Sequence, residues 1–119
     1  MTGEQLILLL HLFVCVAYLL LGLPLALERV APNPWYGFRT PLTVSTLAIW
    51  YRVNRITGWW MIATGLITLP IALACFAMQL SAGLAATITL TPICAGTLGM
   101  IVHGLVLQRR LASSVREDA

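Results

Sequence analysis

The chain has 119 residues, 60% of them hydrophobic and 9% charged, with a formal net charge of +3; its mean hydropathy is +0.92. A soluble domain of this length carries about a quarter charged residues, so the composition excludes a soluble globular domain, a disordered tail and a secreted disulfide scaffold. What it leaves is a single-domain integral membrane protein of a few helices.

The charged side chains lie in short blocks: Glu4 alone, then Glu28, Arg29, Arg39, Arg52 and Arg55, then Arg109, Arg110, Arg116, Glu117 and Asp118. A helix rises 1.5 Å per residue, so about 20 apolar residues cross the hydrocarbon core. The first uncharged gap, Gln5 to Leu27, fits one crossing; the second, Ile56 to Gln108, fits two. Only Gln79 to Gly83 carries turn chemistry near the middle of the second gap. The expected architecture is therefore an all-α membrane protein with spans at 5–27, 57–80 and 82–108, an interfacial segment at 28–56 and a tail at 109–119. Helices are expected because a spanning helix satisfies its own backbone polar groups. Pro24 should mark the end of the first helix, and Pro70 and Pro92 should each introduce a kink. The chain's first residues carry Glu4 and no Lys or Arg, and the apolar stretch exceeds a usual signal-peptide core, so the first span reads as an uncleaved helix.

Four arginines lie between the first and second spans, three follow the third, and none precedes the first. The positive-inside bias makes both arginine-bearing segments cytoplasmic, with the N-terminus and the Ser81 turn outside and the C-terminus inside.

Residues 28–56 are the most informative. Ala31-Pro-Asn-Pro34 cannot be helical. Trp35-Tyr-Gly-Phe-Arg-Thr-Pro41 follows, with Gly37 free to take a left-handed backbone. The run from Leu42 to Thr57 has no Gly or Pro and reads as a short amphipathic helix at the interface, capped by Thr40 or Thr43. Six of the seven Trp and Tyr residues fall between Trp35 and Trp60. Trp35, Tyr36, Tyr51, Trp59 and Trp60 are candidate interface anchors, as amphipathic rings gather at the headgroups. Arg29, Arg52 and Arg55 read as snorkelling side chains. Arg39 sits between a glycine turn and a Thr-Pro step; its planar fork suits a clamp on the loop, a ligand or partner, or a headgroup.

The stretch Asn33-Pro-Trp-Tyr-Gly-Phe-Arg-Thr-Pro-Leu-Thr43, then Trp50, then Asn54-Arg-Ile-Thr-Gly58, resembles the signature of the SdpI-like family of small bacterial integral membrane proteins. Asn33, Gly37, Arg39, Thr40, Pro41, Thr43, Trp50, Asn54 and Gly58 carry the likeness. The resemblance implies a bacterial cytoplasmic-membrane protein of the immunity or signalling kind, with a peptide toxin or a regulatory protein as partner. The candidate binding residues, expected to engage a peptide, lipid or protein partner from the cytoplasmic interface, are Asn33, Gly37, Arg39, Thr40, Thr43, Trp50 and Asn54.

No phosphate loop, carboxylate pair or nucleophile elbow is present, and no Asp or Glu lies inside a span. The expectation is a non-enzymatic protein with no cofactor, no metal and no nucleic-acid partner. His11 and His103 lie about 15 Å or more apart in depth, and are expected to bond neighbouring groups rather than share a metal. Cys15, Cys75 and Cys94 read as packing residues. Thr87, Thr91, Ala95, Gly99 and His103 recur every four residues on the third span, as do Thr64, Thr68 and Ala72 on the second. Small residues at this spacing suit close helix packing. The alternatives to a binding protein are a transporter or channel subunit with a path along Thr64, Thr68, Thr91 and His103, and a structural subunit of a larger complex. Three helices bury little surface alone, which suits a homo-oligomer.

Overall fold

Thr2 opens the first helix. Its hydroxyl accepts from the Gln5 amide (3.3 Å), and the Gln5 side chain accepts from the Thr2 amide (3.0 Å), so two donors at the helix start are satisfied reciprocally. The computed structural model describes residues 1–119, and this helix, α1, spans Gly3–Ala26. It ends two residues beyond Pro24, where the chain leaves through Glu28 at φ 58° and the Arg29 amide donates to the Pro24 carbonyl at 2.9 Å.

Helix α2, Pro41–Ser45, is set by Thr40, whose backbone amide donates to Thr43 Oγ1 (2.7 Å) while Thr43's amide donates to Thr40 Oγ1 (3.2 Å). Pro41 occupies the first helical position, where its missing N–H costs nothing. The interfacial helix is thus present but much shorter than the run 42–57. Thr43 and Ser45 turn their hydroxyls onto the carbonyls of Thr40 and Leu42 (3.1 and 3.0 Å), a local bonding mode that competes with helix continuation. Thr46 is extended (φ −139°, ψ 118°) and breaks the run.

Leu47 then begins α3, Leu47–Ala77, which absorbs most of the expected interfacial helix into one 31-residue rod. At 1.5 Å per residue that is about 46 Å, more than the roughly 30 Å hydrocarbon core. Helix α4, Ala82–Glu117, likewise continues nine residues past Gln108, making the tail helical. The two rods run through Pro70 and Pro92 and are joined by a turn in which Gln79 takes φ 51°.

Helix α3 is central, packing against the other three. Gly22 and Gly58 make the closest approach: a Cβ on Gly58 would collide with the Gly22 carbonyl and the Ala26 amide, so the α1 and α3 backbones touch. Thr64, Thr68 and Ala72 are buried, as their spacing implied. On α4 the expected stripe is only half right. Gly99 and His103 receive the Trp60 ring, but Thr87 and Thr91 are exposed, their hydroxyls spent on Gly83 and Thr87 carbonyls (2.9 and 2.7 Å). The buried face of α4 runs instead through Thr89, Gly104 and Gln108, so Thr64, Thr68, Thr91 and His103 do not line one path. Around this narrow core, Phe13, Leu20, Ile67 and Leu98 face outward, and three helices are long and apolar enough to cross a membrane.

Candidate functional site

The loop between α1 and α2 is folded by its own side chains. Asn33 closes the turn after Pro32: its Oδ1 accepts from the amides of Trp35 (2.9 Å) and Tyr36 (2.8 Å), while its Nδ2 donates to the carbonyls of Ala31 (2.9 Å) and Tyr36 (3.2 Å). Arg39 reaches back across the same turn and donates from Nη1 to the Pro34 carbonyl. A guanidinium has five N–H donors, and this one remains exposed, so the clamp uses only part of it.

Asn54 fastens that turn to α3. Its side-chain oxygen accepts from the Phe38 amide at 2.6 Å, and its Nδ2 donates to Trp50 O (3.0 Å) and Phe38 O (3.4 Å). An amide side chain serves here as a strand would, offering one acceptor and one donor to the backbone of a single residue. The approach depends on Gly37, at φ 109°, where a Cβ would sit 2.6 Å from Asn54 Oδ1. One turn earlier, Trp50 is wholly buried and donates from Nε1 to the Val30 carbonyl at 2.7 Å.

Two further ties complete the attachment. Thr40 Oγ1 donates to Gln108 Oε1 at 2.5 Å, linking the loop to α4, and the Phe38 ring lies over Gly104. The Tyr36 hydroxyl donates to the Leu21 carbonyl of α1; burial pushes this phenol above its ordinary value of 10. The loop is thereby fixed to all three long helices.

The candidate binding residues therefore fall into two groups. Asn33, Gly37, Thr40, Thr43, Trp50 and Asn54 are spent on holding the loop, and Thr43, Trp50 and Asn54 are buried. Arg39 is exposed, and so is Trp35 in the same loop, at 88%. Arg29, Arg52 and Arg55 are exposed on the same segment; only Glu28 opposes them, 3.8 Å from Arg55, an exposed pair of small energetic worth. Among the other aromatics, Trp59 is half exposed and Tyr51 half buried. Trp60 donates from Nε1 to His103 Nδ1 at 3.0 Å, with the rings edge to face.

The sequence reading missed Gln108, Gly104, Gly22 and the Val30 carbonyl as partners of the loop end. Gln108 carried a usable signal, being an uncharged polar residue at the end of an apolar run. The backbone carbonyl had none.

The fold and the loop define a multi-pass helical membrane protein with a fixed polar cap at one end of its bundle. The SdpI/YfhL family model matches residues 29–106, and the chain belongs to that family. No curated protein and no solved structure matches it.

Proposed function

We propose that the chain is a membrane-embedded binding protein of the immunity or signalling kind, and that its recognition surface is the loop 28–46 with the first turns of α3. The supporting observation is the division of labour just described. A turn locked by Asn33 and Asn54 carries an exposed guanidinium, Arg39, and an exposed indole, Trp35. Preorganised groups lose less entropy on binding, and Arg and Trp are among the residues enriched at the energetic centres of interfaces. The partner is a peptide or protein offering a carboxylate or carbonyl beside an apolar side chain; a peptide toxin or a regulatory protein fits the family. The arginine distribution supports a cytoplasmic position for this surface, in a bacterial cytoplasmic membrane with the N-terminus outside. The protein acts by binding, without covalent chemistry, and the unpartnered outer faces of α1 and α4 suit a homo-oligomer.

The test is survival of cells challenged with a membrane-active peptide toxin. Expression of the chain should protect, and Arg39→Ala and Trp35→Ala should lose protection at unchanged abundance in the membrane. Equal survival with and without the chain, or protection that both variants retain, overturns the proposal.

A further inference from the structure

At the opposite end of the bundle, a cavity of about 340 Å³ lies between the first turns of α1 and the α3–α4 hairpin. Its volume falls at the lower end of small-molecule sites, about 300–1,000 Å³. Leu8 and Phe76 supply apolar wall, and Glu4, His11, Gln79 and Thr89 supply polar atoms.

The state of those polar atoms is set by their neighbours. His11, 7% exposed, places Nδ1 2.7 Å from the Ile7 carbonyl. A carbonyl only accepts, so the neutral ring carries its proton on Nδ1 and leaves a lone pair on Nε2, which has no partner in the protein. Thr89, 2% exposed, spends its hydroxyl proton on the Ala85 carbonyl at 2.8 Å and keeps acceptor lone pairs. Glu4, exposed, adds a carboxylate to the lining. Every arginine lies elsewhere in the chain, and lysine is absent, so Glu4 is the one charged side chain lining the cavity.

We propose that this cavity binds a small organic ammonium with an apolar body. The N–H donors of the ammonium meet His11 Nε2 and Thr89 Oγ1, its charge faces Glu4, and its hydrocarbon part lies against Leu8 and Phe76. This site is independent of the Arg39 surface, so either can fail alone.

The two histidines allow a direct readout. His103 accepts from Trp60 at Nδ1, which places its own neutral-state proton on Nε2, the opposite tautomer to His11. In full-length protein labelled with ¹⁵N-histidine and held in nanodiscs, the two imidazoles are therefore distinguishable. Titration with butylammonium should shift His11 Nε2 saturably and leave His103 unmoved. Glu4 is exposed, so Glu4→Gln should fold normally and weaken the apparent affinity about 1.5- to fivefold, the range of one exposed charge pair. Butanol and butyrate should produce no saturable shift. A flat titration, an equal response to butanol, an equal response at His103, or a Glu4→Gln variant that binds as tightly as the native chain overturns the proposal.

Discussion

The two ends of the bundle use their polar groups in opposite ways. At the loop end, Asn54, Trp50, Thr40 and Tyr36 form side-chain bonds across the chain, joining residues 15 to 68 positions apart. At the hairpin end, the polar groups bond within their own helical turn: Thr2 with Gln5, His11 with Ile7, Thr89 with Ala85. The first pattern fixes a loop in place; the second leaves acceptors facing a cavity. In a bilayer, where an unmet polar group has no water to turn to, that difference separates a built platform from an open site.

The largest expected effect breaks the platform at its base. Gly58→Val drives a branched side chain into the α1 backbone, and should cost about 3 kcal/mol or prevent assembly, read as a fall in the thermal midpoint in detergent. Asn54→Leu keeps the volume but leaves the Phe38 amide and carbonyl without their side-chain partner. It should cost about 2 kcal/mol and open residues 30–43 to protease while the α3–α4 hairpin stays folded.

Smaller effects sharpen the contrast. Thr57 Oγ1 is buried at the loop end with no partner, so Thr57→Val, nearly isosteric, should leave stability unchanged or raise it by about 1 kcal/mol. It is the one polar deletion at this end expected to do no harm. Tyr36 supplies a pH effect. Its phenol is raised in the folded chain, so its contribution is complete below the unfolded value near 10 and is lost as pH rises through the folded value. The thermal midpoint should fall more steeply above about pH 10 in the native chain than in Tyr36→Phe.

Much of the architecture was legible because lipid imposes a simple code. Charge-free gaps gave the number of spans, and Gln79 to Gly83 gave the hairpin turn. Helix limits were less legible. Leu47 to Thr57 is polar enough to read as a separate surface helix, yet nothing after Thr46 interrupts the backbone, so it continues into the span. Thr43 and Ser45 bond locally and end α2 early, a competition that periodicity does not register. At the site, Asn33 and Gly37 could be read as turn residues from composition, and Arg39 as a clamp. That Trp50 and Asn54 face inward depends on where Val30 and Phe38 arrive, a tertiary fact. The α4 face was misassigned in part because four-residue spacing describes two neighbouring stripes equally well, and only Gly104 and Gln108 distinguish them.

The central claim is that the family's signature residues hold a loop rigid so that Arg39 and Trp35 are presented in one geometry. Hydrogen exchange in nanodiscs tests it most directly. The Phe38 amide and the Trp50 indole N–H should exchange as slowly as the α3 interior, remain slow in Arg39→Ala, and become fast in Asn54→Leu. Exchange of both protons in the native chain as fast as that of the exposed residues 113–117 would contradict the account.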